Sequence, residues 1–94
     1  MIPKPISHRD PAYLDYIRSL SCANCGRFPS EAAHMRCLGG GGMGKKPSDY
    51  HAIPLCPGCH RLEHTMGVKV LDIDPARVAL NCAATYIWER INEA

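Results

Sequence analysis

The sequence predicts a small α+β domain whose core is pinned by four cysteines. Three observations predict it. Apolar residues recur at helical spacing near both ends of the chain, behind Asp10-Pro11 and Asp74-Pro75. Two short runs in the middle, near 30–35 and 50–54, read as strands. Two Cys-x-x-Cys pairs, Cys22/Cys25 and Cys56/Cys59, bracket those strands. A length of 94 residues implies one domain, 1–94. A domain this small buries a modest core and commonly needs a staple.

The elements follow in order. Residues 1–9 read as an extended arm. Asp10 then serves as N-cap and Pro11 as the first helical residue, because a proline lacks an N–H that this position would leave unbonded. Tyr13, Leu14, Ile17 and Leu20 line one face, so a short amphipathic helix is expected over 11–20. The zone 22–66 carries nearly all the Cys, His and Gly, including the glycine run Gly39–Gly42. It holds the two strands and a helix from Pro57 to Met66, which Gly67 stops. Asp74-Pro75 repeats the capping pattern and opens a helix over 75–92. Its Val78, Leu80, Cys82, Ala83, Tyr86, Ile87, Trp88 and Ile91 exceed one narrow stripe. That breadth predicts a core helix with surplus apolar face for a partner, and Tyr86, Trp88 or Ile91 for a contact with a second copy.

Composition excludes some classes. No apolar run approaches the ~20 residues that span a bilayer. The opening MIPKPISHRD is polar and proline-rich, unlike a secretory leader, so a cytoplasmic setting is expected. In that setting paired cysteines read as metal ligands before disulfides. A formal net charge of +2 permits nucleic-acid binding without arguing for it.

Each Cys-x-x-Cys turn aims two thiolates at one point, and two such turns 30 residues apart close a tetrahedral four-sulfur site. That donor set suits Zn²⁺, with bonds of ~2.3 Å. Asn24, Gly26 and Gly58 tolerate the tight backbone of the turns. Two copies without a βαβ pattern disfavour a redox role. Cys82 reads as a small apolar core residue and Cys37 as a bystander thiol. His60 follows the second pair directly, and His64 stands four residues on, so the two imidazoles share a helix face. Together they can hold a second divalent ion.

The run Cys22-x-x-Cys25, Glu31-Ala-Ala-His34, Ile53-Pro54-Leu55-Cys56-x-x-Cys59-His60-x-x-x-His64 resembles the zinc-containing HNH, or ββα-metal, endonucleases. The stretch Gly42-Met43-Gly44-Lys45-Lys46-Pro47-Ser48-Asp49 is similar to phage recombination-enhancement nucleases and related prophage proteins. The resemblance covers about residues 22–64. It implies a β-hairpin and helix gripping one catalytic divalent ion, Mg²⁺, Mn²⁺ or another, beside the structural zinc. The implied activity is hydrolysis of DNA phosphodiester bonds in recombination or DNA processing, with DNA and a recombination or replication protein as partners.

The resemblance also implies roles. His34 matches the general base, and His60 and His64 match the ligands of the catalytic ion. His51 stands five residues before Cys56, where the family usually carries an Asn that orients the base, and Asp49 is an equal rival for that role. The family often places an Asp or His ligand just before the base. Here that position is Ala33, which leaves Glu31 or Asp49 to supply the oxygen. Arg36, Lys45, Lys46 and Arg61 are the candidate phosphate contacts. The alternative is a noncatalytic zinc-ribbon-like module that binds DNA or protein. The cysteines fit both readings, the histidines favour the nuclease, and Ala33 favours the module.

Overall fold

The computed structural model describes residues 9–35 and 48–92. Helix α1 spans Pro11–Arg18, strand β1 Glu31–His34, strand β2 Ala52–Leu55, helix α2 Pro57–Met66 and helix α3 Pro75–Asn92. One-turn 3₁₀ segments cover Asp49–His51 and Val68–Val70. The described residues form a small α+β fold with three α-helices and a two-stranded sheet. The arm expected over 1–9 falls outside the described residues except for Arg9. Arg36, Cys37, the Gly39–Gly42 run, Lys45 and Lys46 also fall outside them.

The two Asp-Pro pairs act as expected. The Asp10 carboxylate accepts from the Tyr13 N–H at 3.1 Å, and that of Asp74 from the Ala76 N–H at 3.1 Å. Helix α1 stops at Arg18 rather than 20: the Leu20 N–H bonds to the Ile17 carbonyl at 3.1 Å, a step of three in place of the helical four. Helix α2 ends where Gly67 takes φ +89°, a left-handed value that a side chain would strain.

The strands form an antiparallel hairpin that pairs Glu31 with Leu55, Ala32 with Pro54, Ala33 with Ile53 and His34 with Ala52. A bond from Met35 N–H to the His51 carbonyl extends the ladder. Strand alternation puts Glu31 and Ala33 on one face and Ala32 and His34 on the other. The first face joins the main core of Ala33, Met35, Ile53, Leu55, Leu71, Ala79, Cys22 and Cys56. All four residues of β2 are buried, so both faces of that strand are covered. Fully buried Tyr13 and Ile17 bring α1 against the hairpin.

Helix α3 departs from expectation. Ala79 is its sole buried residue. Val78 is partly buried against the core, while Leu80, Ile87, Trp88 and Ile91 are exposed. It is therefore a peripheral helix laid on the core by its first two turns. Tyr86 is packed within the chain. Its ring packs edge-on to Tyr13 at 5.0 Å and against Tyr16 at 5.1 Å, with the Arg90 guanidinium 4.6 Å above it. No helix among the described residues is long and apolar enough to cross a membrane.

Candidate functional site

The four-cysteine centre sits where the chain enters and leaves the hairpin. Cys22 and Cys25 lie in the loop between α1 and β1, which is closed by a Cys22 N–H bond to the Arg27 carbonyl at 2.8 Å. Gly26 follows at φ +80°. An Ala23 N–H bond to the Pro54 carbonyl at 2.8 Å pins this loop to β2. Cys56 caps α2, Pro57 begins it, and Cys59 lies in its first turn. The four sulfurs lie within 4.8 Å of one another. Cys25 Sγ and Cys56 Sγ are 3.5 Å apart, too far for a disulfide. Tetrahedral thiolates around zinc would be about 3.8 Å apart for bonds of ~2.3 Å, so the cluster already has the size of a metal cage.

The surroundings favour thiolate at two of the four sulfurs: they lower the pKa of Cys22 and Cys56 and raise that of Cys25 and Cys59. The Cys25 N–H points at Cys22 Sγ and the Cys59 N–H at Cys56 Sγ, both at 3.5 Å. Burial works against ionisation of Cys22, but backbone and thiol hydrogen bonds outweigh it and lower its pKa to about 6. By its size and its four sulfur donors the centre can hold a structural metal such as zinc. Cys82 lies apart, half-buried, and burial pushes its thiol up.

Asn24 was legible in the sequence only as a turn residue. In the structure its amide donates to Cys59 Sγ at 3.4 Å, and its carbonyl accepts from the Asp72 N–H at 2.9 Å. It thus ties one cysteine pair to the other and to the segment before α3. Groups that support metal ligands in this way are typically worth ~10–100-fold in metal affinity. Asn24→Ala is expected to weaken zinc retention by about that factor in a chelator competition, with the four-sulfur ligand set unchanged.

The histidines fall into two groups. On α2, His60 Nε2 and His64 Nε2 are 3.2 Å apart. Two nitrogens bound to one ion at ~2.0–2.1 Å would be about 2.9–3.4 Å apart, so the pair fits a shared cation. His60 Nδ1 lies 2.8 Å from Glu31 Oε1. An ionised carboxylate only accepts, so Nδ1 carries the proton and the Nε2 lone pair faces His64. Glu31 therefore positions an imidazole, a different task from supplying a ligand oxygen.

At the far end of β1, His34 Nε2 lies 2.8 Å from Asp49 Oδ1. Asp49 is 3% exposed. It also accepts from the Asp10 N–H at 2.7 Å and the Arg9 guanidinium at 3.2 Å. Burial would raise the Asp49 pKa, but the bonds from His34, Asp10 and Arg9 prevail and lower it. Asp49, not His51, is the residue bonded to His34. The 3₁₀ turn places His51 in the wall of an apolar recess against α3, with its Nδ1 buried and unpartnered. Asp49 is committed to these donors, and Glu31 is committed to His60. Neither residue expected to supply the oxygen absent at Ala33 is placed to do so.

A group with a lowered folded-state pKa adds stability above its unfolded pKa and loses it as pH falls through the folded value. Asp49→Ala is expected to cost about 2–3 kcal/mol in urea unfolding at pH 7 with excess zinc. The difference from the parent should shrink as the pH drops through and below the carboxylate range.

The three imidazoles of His34, His60 and His64 do not form one donor set within 4.8 Å, as the four thiols do. Glu31 and His34 leave β1 on opposite faces, and this separates the two groups. Arg61 is exposed on α2, next to His60.

The family model described as a protein of unknown function, DUF968, matches residues 1–69. The chain belongs to the DUF968 family. In this DUF968 protein the matched span holds the hairpin, the four-cysteine centre and His34, His51, His60 and His64, and it ends before α3. No curated protein and no solved structure matches the chain.

Proposed function

We propose that this protein is a metal-dependent DNA endonuclease of the HNH type, built on a zinc-held scaffold. The observation that carries the reading is the state of the imidazoles. Glu31 holds His60 with Nε2 turned to His64 Nε2 at 3.2 Å, as a two-histidine cation site requires. Asp49 holds His34 Nε2 as a donor, which leaves Nδ1 free to take a proton. The order of these residues around the two cysteine pairs, and the resemblance of residues 22–64, support the same reading.

The two groups have separable tasks. His34 accepts the proton of the attacking water through Nδ1, and Asp49 stabilises the imidazolium that results. His60 and His64 would hold the divalent ion, which supplies charge neutralisation at the scissile phosphate and at the departing oxygen. Attack and departure occur on opposite sides of phosphorus, so base and ion need to flank the phosphate rather than touch each other. Two separate histidine groups are consistent with that. Arg61 would contact the DNA backbone, and Arg36, Lys45 and Lys46 are further phosphate contacts by sequence.

A second reading has one observation in its favour. Glu31 and Asp49 are both occupied by imidazoles, so among the described residues neither is placed to give a carboxylate oxygen to an ion held between His60 Nε2 and His64 Nε2. A noncatalytic zinc module that binds DNA or protein would need none. The experiment is cleavage of supercoiled plasmid, single-stranded and branched DNA by zinc-loaded protein with Mg²⁺ or Mn²⁺. The nuclease reading expects metal-dependent strand scission that the His60→Ala/His64→Ala protein lacks while keeping its zinc. No scission of any substrate, or scission equal in the variant, would leave the module.

A further inference from the structure

We infer that the outer face of α3 is an interface with a second copy of this chain. Leu80, Ile87, Trp88 and Ile91 on that helix are 69, 56, 66 and 64% exposed. Leu80, Ala84, Ile87 and Ile91 recur at steps of four, three and four, the spacing of a helix–helix seam, and Trp88 flanks it. Between Leu80 and Ile91 the seam carries no charge. Of the nearby charges, Glu89 lies on another face, and Arg90, which flanks the seam seven residues after Ala83, has its guanidinium 4.6 Å above the Tyr86 ring. A contiguous apolar stripe of this kind is costly to leave in water and marks an interaction surface.

Area and shape select a second copy as the occupant. The four exposed side chains present roughly 500 Å² per protomer, or about 1,000 Å² across a two-copy contact, near the lower bound for a specific interface. A two-fold contact uses one patch twice, so the patch must complement itself. This one has both a knob and a hole. The knob is Trp88. The hole is the apolar recess of about 330 Å³ lined by Tyr50, His51, Ala76, Ala79, Leu80 and Ala83. In a parallel pairing, flanking positions five residues apart meet, which sets Trp88 against the partner's Ala83 in the wall of the recess.

The test is sedimentation equilibrium of the zinc-loaded full chain between ~1 and ~500 µM, read together with the fluorescence of Trp88, the single tryptophan. The expected mass rises from 10.3 kDa to twice that value, and Trp88 emission shifts to the blue over the same concentrations. Ile87→Glu should hold the protein monomeric throughout. Trp88→Ala should raise the dissociation constant by ~10–100-fold, as loss of a central aromatic anchor does. Both positions are exposed in the monomer, so circular dichroism should be unchanged. A chain that stays monomeric at every concentration overturns the inference, as does a dimer whose affinity neither substitution alters. A blue shift that needs added phosphatidylcholine vesicles would assign the face to a lipid surface and also overturn it.

Discussion

Zinc-loaded protein stripped by a strong chelator is expected to unfold. The magnitudes decide this. Among the described residues the large side chains that are fully buried are Tyr13, Ile17, Met35, Ile53 and Leu55, a small core for a free-standing domain. Domains in general retain only ~5–15 kcal/mol of net stability, while a structural zinc contributes about 10–16 kcal/mol of apparent binding energy. Removing the ion therefore costs as much as the whole fold can supply. The four thiols also converge where Ala23 N–H meets the Pro54 carbonyl and where α2 begins, so the hairpin loses its closure when they separate. Cys56→Ser should reproduce the loss. The check is far-ultraviolet circular dichroism during chelation, followed by recovery on zinc addition. A cooperative thermal transition that persists in the metal-free protein would show that the apolar core suffices.

His34→Ala is expected to lower the rate constant of DNA cleavage by ~10²–10⁴-fold, the usual contribution of a positioned general base, with little change in DNA affinity. His34 is half-buried at the end of β1, and its ring bonds to Asp49 rather than to the core, so truncation should leave the fold standing. Asp49→Asn should give a smaller loss. Its amide keeps the shape but cannot stabilise the imidazolium as a carboxylate does. Added imidazole should restore part of the His34→Ala activity, a rescue that a purely structural defect would not show. Single-turnover cleavage at saturating enzyme is the measurement. An unchanged rate constant in His34→Ala removes the base assignment.

Much of the fold was legible in the sequence because its strongest local rules agree. The Asp-Pro pairs mark two helix starts, Gly67 marks a stop, and the cysteine pairs mark the ends of the hairpin. The four-sulfur centre was legible for the same reason, since Cys-x-x-Cys spacing nearly dictates the turn. What was not legible depends on contacts across 15 to 39 residues. Glu31 looked like a candidate oxygen ligand, yet it orients His60. Asp10 looked like a helix cap only, yet its N–H also holds Asp49. Asp49 and His51 were indistinguishable because their order of merit depends on a single 3₁₀ turn that aims one at His34 and the other at α3. Helix α3 was misjudged because its apolar residues outnumber the surface available to bury them, and sequence does not show how much of a helix a small core can cover.

Cobalt(II) titration of the metal-free, reduced chain, followed by absorption spectroscopy, tests the two-site account most directly. The account expects a first equivalent with intense sulfur-to-cobalt bands and a tetrahedral visible spectrum, lost in Cys56→Ser. It expects a second, weaker equivalent without sulfur bands, lost in His60→Ala/His64→Ala while the first remains. Saturation at one equivalent in the parent chain, or a second site indifferent to both histidines, would contradict it.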